Sequence, residues 1–412
     1  MLGLRLWKRA LVLVAGSAIG WLAGEASASL QLTAIAPLGD DTTTTARAIT
    51  PDGQFVVGQS GTGTGFVWDA VNGTRTFTGA AHTSTNASGV GYRVVNGNTQ
   101  LIAHGRESAG WSGEWFSSDG GLTWTSRRDV NVFSSGSLGL PAANSLRGTN
   151  TDVYYDVWIN IISGAGRNHY TSRGSGDPVT VLRSTATTGA AQGYSLNGVS
   201  ATGRAVGSRL QSGNPRNLYV DFTNPGTPAD RFFPGLDGTI FGTALAISAD
   251  GMRIFGTSAA TGKSGNWPYL VIDPKVLPEV SGATIELPTY ADVIGGTRAQ
   301  PLGCTDDGRF AVGNNFREVG ERAVLWNLTD PDPANWTVKD LTVLFSAQGL
   351  MGDFKVLTRA TSVGRLPSGE LVITGIGINM NDQTRAFVAT IPEPATLGLL
   401  ATGALLMRRR RR

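Results

Sequence analysis

The 412-residue sequence contains one cysteine, three histidines and only 16% charged residues. A lone Cys304 excludes any internal disulfide framework. It stands where other copies of an internal repeat have isoleucine, so it reads as a small buried apolar residue with no histidine near it in sequence. The histidines His82, His104 and His169 have no metal-ligand spacing and read as ordinary loop or edge residues. HExxH, CxxC, GxSxG and P-loop patterns are missing as well. The close acidic residues are Asp40-Asp41, Asp306-Asp307 and Asp330 with Asp332, without EF-hand spacing. No metal, cofactor or catalytic residue is therefore expected.

Basic character is also missing once the ends are set aside. The whole chain has 34 Lys+Arg and 31 Asp+Glu, with a sequence pI near 9.1. The first 28 residues hold three basic residues and one acid, and the last 22 hold five arginines and Glu393. The remainder has 26 basic and 29 acidic residues. The high pI thus belongs to the ends and gives no support for nucleic-acid binding.

What is abundant is glycine, 56 residues, in a phrase that recurs. Its clearest copy is Ala48-Ile49-Thr50-Pro51-Asp52-Gly53-Gln54-Phe55-Val56-Val57-Gly58, followed by Gly65-Phe66-Val67-Trp68-Asp69. Ungapped copies run from Ala246 to Gly256 and from Gly303 to Gly313. A shorter one spans Val199–Gly207 and a longer one Val363–Gly375. Each copy reads as a hairpin: Asp-Gly accepts the positive φ of a tight turn, and the flanks are β-branched or aromatic. The run Phe55-Val56-Val57 does not alternate, as expected of a strand covered on both faces.

A sheet sandwiched between copies of itself is a propeller blade, so the expected class is an all-β β-propeller. Turns near Gly53, Gly203, Gly251, Gly308 and Gly369 are clear. The stretch from 53 to 203 has room for further copies, with Asn96-Gly97 as one turn and Val153–Ile159 as another strand. The spacing predicts about seven blades of roughly 40–60 residues. The last copy has three strands, and the spare strand Leu30–Ala36 is expected to complete it and close the ring.

The expected organisation is a signal peptide over 1–28, a propeller over 29–390 and a sorting tail over 391–412. Arg5, Lys8 and Arg9 precede an apolar stretch, and Ala26-Ser27-Ala28 is a small-x-small site for signal peptidase, with cleavage between Ala28 and Ser29. In the tail, Pro392-Glu393-Pro394 is followed by thirteen mainly apolar residues, Ala395–Met407, and then by Arg408–Arg412. Five arginines are costly to draw through a bilayer, so the body would sit outside the inner membrane on a short, marginal membrane helix.

Three resemblances follow from these residues. The tail resembles the PEP-CTERM sorting signal of exported bacterial proteins, with Pro392, Glu393 and Pro394 as the namesake tripeptide. That resemblance implies an exosortase-type processing enzyme as a partner, a transient inner-membrane anchor and a final place at the surface or in the matrix of a Gram-negative-type envelope. Ser117-Ser118-Asp119-Gly120-Gly121-Leu122-Thr123-Trp124 resembles the Asp-box found in sialidases and other propellers. It implies a structural turn in which Ser117, Asp119, Gly121, Thr123 and Trp124 have fixed places. The repeat resembles the HAF family of extracellular repeats, which implies no reaction. The expected function is a non-enzymatic surface protein with a structural, adhesive or exopolysaccharide-associated role. The alternative is a glycan-active enzyme of sialidase-like architecture, with an arginine cluster, an acid and a tyrosine converging in the central funnel.

Overall fold

A computed structural model describes residues 29–392, apart from 109–111, 129–146, 149–153, 163–165, 174–179, 183–193, 212–213, 222–228, 240, 274–283 and 291–297. The signal peptide and nearly all of the sorting tail lie outside the described residues. Among the described residues no helix is long and apolar enough to cross a membrane.

The chain is all-β and propeller-like. In order, the strands are β1 (Gln31–Ala34), β2 (Thr44–Ile49), β3 (Val56–Ser60), β4 (Thr64–Asp69), β5 (Gly73–Arg75), β6 (Ser84–Val95), β7 (Asn98–Glu107), β8 (Ser112–Ser117), β9 (Thr125–Arg128), β10 (Arg147–Gly148), β11 (Tyr154–Ile162), β12 (Gly166–Arg173), β13 (Thr180–Leu182) and β14 (Tyr194–Val199). They continue as β15 (Arg204–Gln211), β16 (Asn214–Asp221), β17 (Ala229–Phe232), β18 (Gly242–Ile247), β19 (Arg253–Ala259), β20 (Asn266–Ile272), β21 (Thr284–Glu286), β22 (Ala299–Cys304), β23 (Phe310–Arg317), β24 (Gly320–Asn327), β25 (Thr337–Asp340), β26 (Phe354–Arg365), β27 (Leu371–Asn379) and β28 (Thr384–Ile391). Among the described residues one short α-helix, α1 (Leu341–Ser346), precedes β26 and is capped by the Asp340 carboxylate, which accepts from the Val343 N–H.

Among the described residues these strands form seven antiparallel four-stranded sheets. Six are simple runs of four consecutive strands, β2–β5 through β22–β25. The other has the order β1-β28-β27-β26, so the first strand supplies its fourth member, with Gln31 opposite Thr390 and Ala34 opposite Phe387. First strands of neighbouring sheets touch: β2 meets β6 and β26, β14 meets β18, and β22 meets both β18 and β26. The sheets converge on their first strands, with apolar layers between them. One layer holds Phe66, Val56, Val372 and Val388, and another holds Trp326, Phe255 and Cys304. Cys304 is 1% exposed, as its place in the repeat implies.

The repeat has a steric cause. In six of the seven described first strands a β-bulge falls at the same point, between Ala46 and Ala48, Ala87 and Gly89, Leu196 and Gly198, Ala244 and Ala246, Pro301 and Gly303, and Ala360 and Ser362. Just before the bulge a backbone carbonyl presses on the second strand. A Cβ at Gly58, Gly256, Gly313 or Gly375 would overlap the carbonyl oxygen of Thr45, Thr243, Gln300 or Arg359 respectively. The glycine that ends these four copies is therefore demanded by close backbone approach.

Candidate functional site

The polar residues of the repeat meet on one face of the molecule, where first and second strands join. Thr50 Oγ1 donates to Asp52 Oδ1 at 2.6 Å and accepts from the N–H groups of Gln54 and Phe55. Ser248 with Asp250 and Thr305 with Asp307 repeat the arrangement at 2.6 Å each. These turns also bond to one another across the sheets. Arg204 Nη1 donates to the Asp250 carbonyl, Arg253 Nη1 to the Gly308 carbonyl and Arg365 Nη1 to Asp307 Oδ2. The Arg365 N–H donates to the Pro51 carbonyl, and the Tyr92 hydroxyl to Asp52 Oδ2 at 2.8 Å. Burial and the Asp52 charge push the Tyr92 hydroxyl well above its ordinary pKa. The turn aspartates are thus occupied in holding turns and joining sheets.

The turn between β8 and β9 brings together all five residues singled out in the sequence. Asp119 accepts from the Thr123 hydroxyl at 2.5 Å, from the N–H groups of Thr123 and Leu122, and from the Ser117 hydroxyl at 2.7 Å. The Thr123 bonds, followed by that from Ser117, hold the Asp119 carboxyl well below the usual carboxylate range. Gly121 has φ +82°, and its carbonyl accepts from Trp124 Nε1 at 3.0 Å. The Trp124 ring is 2% exposed and meets Phe77 edge-on at 4.8 Å.

A cleft of about 710 Å³ opens on this same face between the first and last sheets. Its apolar lining comprises Phe55, Trp68, Leu366, Val372 and Val388. Gln31, Gln54, Asn72 and Glu370 supply polar groups at its margin, and Asp69 is fixed beside them. Burial raises the Asp69 pKa, but the Asn72 N–H, Arg75 at 2.6 Å and the Val71 N–H together bring it below normal. Ser29 and Thr390 also line the cleft, which places it where the body meets both end segments. Nothing in the sequence marks this cleft, because its walls come from residues about 300 positions apart.

A second polar group brings first strands β2 and β26 together with β24, the third strand of the sheet beside β26. Arg359 donates through Nε and Nη2 to Glu321 Oε1 at 3.0 and 2.8 Å. Arg47, the bulged residue of the adjacent first strand, has a buried Nε with no hydrogen-bond partner among the described residues. Burial, followed by the charge of Arg359, lowers its pKa. At equivalent bulges Asn197 and Thr361 instead donate to carbonyls of the next sheet, Ala244 and Ala46.

The remaining singled-out residues are dispersed. His104 corrects the reading of a loop or edge residue: it lies in β7, is 0% exposed and packs over Gly89, whose missing side chain makes room for it. His82 does lie outside the strands, with Nδ1 3.3 Å from the buried Glu107 carboxylate. His169 lies in β12, whose side chains are outside the described residues. Among the described residues no group of three or more His, Cys, Asp or Glu could hold a metal. Of the sorting tripeptide, Pro392 is described and buried; Glu393, Pro394 and Ala28 lie outside the described residues, and Ser29 is at the cleft.

No curated protein matches the chain in sequence. Among solved structures the chain is similar to an ancestral GH74 enzyme, with TM-score 0.50, 11% identity and coverage of 85% of this chain and 48% of that one. It is also similar to the β-propeller domain of the Trilobed protease from Pyrococcus furiosus, with TM-score 0.46, 12% identity and coverage of 84% and 95%. A Trypanosoma rangeli sialidase gives TM-score 0.39, 10% identity and coverage of 81% and 60%. The chain spans less than two thirds of the sialidase and of the GH74 enzyme, and at such identities the likeness concerns the fold alone. Residues 390–412 match the PEP-CTERM protein-sorting motif, so the chain carries the mark of an exported protein sorted to the cell surface through an exosortase-type enzyme.

Proposed function

We propose that this chain is a non-enzymatic, surface-sorted β-propeller that associates with exopolysaccharide in a structural or adhesive role. In this reading residues 1–28 are removed by signal peptidase, seven HAF-type blades close into a ring on the first strand, and the tail anchors the precursor transiently in the inner membrane. The turn at Ser117–Trp124 is a structural Asp-box, which its internal hydrogen bonds support. The observation that carries the binding role is the cleft. Its volume of about 710 Å³ suits a short oligosaccharide, and Phe55 and Trp68 offer apolar surface for a sugar face. The amides of Gln31, Gln54 and Asn72 suit sugar hydroxyls, which donate and accept at once.

The test is a glycan array probed with the processed protein, repeated with Gln54→Ala and Asn72→Ala together. Binding of a neutral polysaccharide that drops at least tenfold in the double variant, with an unchanged thermal midpoint, is the expected result. No retained glycan, or equal binding by the variant, would defeat the proposal. The alternative reading, a glycan-active enzyme, draws on Arg47, Arg359 and Glu321. Hydrolysis of a glycan that is abolished by Glu321→Gln would establish it instead.

A further inference from the structure

The folded body leaves no slack before the sorting motif. β28 runs to Ile391, which pairs with Leu371 and is 5% exposed. Its side chain belongs to the apolar layer of Phe310, Val363 and Leu371. Pro392, the first residue of the motif, is itself buried. β1 starts opposite Thr390, so Ser29 and Pro392 lie at one end of one strand pair. β28 runs in the direction of β26, because β27 is antiparallel to both. Both end segments therefore leave from the face that carries the turns and the cleft.

Chain length then fixes how far this face can stand from a membrane. Two residues, Glu393 and Pro394, separate Pro392 from Ala395, where the apolar segment begins; the three steps between them reach about 10 Å at full extension. The headgroup layer of one leaflet takes up about 5–7 Å of that reach. The thirteen apolar residues cover only about 20 Å as a helix, against a hydrocarbon core of about 30 Å, so they have no spare length to give.

We propose that, in the unprocessed protein, the propeller is seated with its turn face against the lipid headgroups of the inner membrane, and that processing uncovers this face together with the cleft. The proposal rests on reading the apolar tail as membrane-inserted. The opposite face, which carries the turn between β23 and β24, points away from the bilayer. Two residues report on the two faces. Val71, at the cleft, is 90% exposed, and Val319, on the opposite face, is 59% exposed. The only native thiol, Cys304, is 1% exposed and silent to a bulky reagent.

The experiment uses the full chain with Val71→Cys or Val319→Cys, in cells lacking the processing enzyme and in cells possessing it. Envelopes are permeabilised on the outside and treated with a membrane-impermeant PEG-maleimide, and membranes are washed with carbonate. In unprocessed protein Val71→Cys is expected to label at least tenfold more slowly than Val319→Cys. Detergent, or a ten-residue Gly/Ser insertion between Pro394 and Ala395, should restore its rate, and processed protein should label equally at both positions. Equal rates in membrane-held unprocessed protein would overturn the seating while leaving the anchor in place. An unprocessed chain that washes off the membrane would overturn the anchor and the seating with it.

Discussion

At the scale of single residues, the glycine that ends a repeat copy and the glycine of a tight turn answer to two different constraints, which substitution can separate. Gly313 has an ordinary backbone conformation, but a Cβ there would overlap the Gln300 carbonyl oxygen, which is backbone and cannot swing aside. Gly120 has φ +73° and open space around it. Gly313→Ala is expected to cost about 3 kcal/mol or more, because the bulged strand must shift. Gly120→Ala is expected to cost only about 1 kcal/mol, the strain of a left-handed alanine. Denaturant melts of the two variants check this, and equal losses would show that the bulge contact does not set the glycine. Such contacts explain why a glycine recurs at the end of the repeat, although the sequence shows only the recurrence.

At the scale of elements, the strand that completes the last sheet also grips the first. The Ile35 N–H donates to the Ala386 carbonyl, the Thr44 hydroxyl donates to the Ile35 carbonyl, and the Ala386 N–H donates to Thr44 Oγ1. Ile35 itself is fully buried beside Phe66 and Val388. Ile35→Ala is expected to cost about 3 kcal/mol as a cavity, and deletion of residues 29–36 to cost more and to lower solubility, since β28 would become an open edge. Calorimetry and sedimentation test this, and an unchanged melting temperature of the deletion would show that the strand is dispensable. This strand was legible because the last repeat visibly lacks a fourth member. The hairpins at Gly53, Gly251 and Gly308 were legible because Asp-Gly and β-branched flanks are local signals. The sheet from Ser84 to Arg128 was faint for the opposite reason. Its first strand, with Ser84, Thr85, Asn86 and Ser88, is polar, and its turn is Asn96-Gly97, with φ of 51° and 77°. The cleft was not legible at all, since Phe55 and Val388 meet only when the first and last sheets do.

At the scale of the whole molecule, the titrating groups bound the pH range of the fold from both sides. Hydrogen bonds hold the pKa of Asp119 below its ordinary value. Burial raises that of Asp307, but the Thr305 hydroxyl, the Arg309 N–H and Arg365 bring it below normal, as the partners of Asp69 do there. A carboxyl whose pKa is depressed by folding stabilises the native state above its unfolded value, near 4, and loses that contribution as pH falls through the folded value. On the alkaline side, burial pushes Tyr219 up to about 12 and raises Tyr269 well above its ordinary value. A raised tyrosine contributes stability that is complete below its unfolded pKa of about 10 and is lost as pH climbs through the folded value. The melting temperature is therefore expected to hold level between about pH 5 and 9 and to fall on both sides. Tyr219→Phe separates the limbs: the Tyr219 hydroxyl is buried with no hydrogen-bond partner among the described residues, so its removal leaves nothing unpaired. The variant should be at least as stable as the parent at pH 7, with an unchanged acid limb and a shallower alkaline one. Scanning calorimetry from pH 2.5 to 11.5 decides it, and an alkaline limb identical to the parent's would show that loss of stability there comes from groups other than Tyr219.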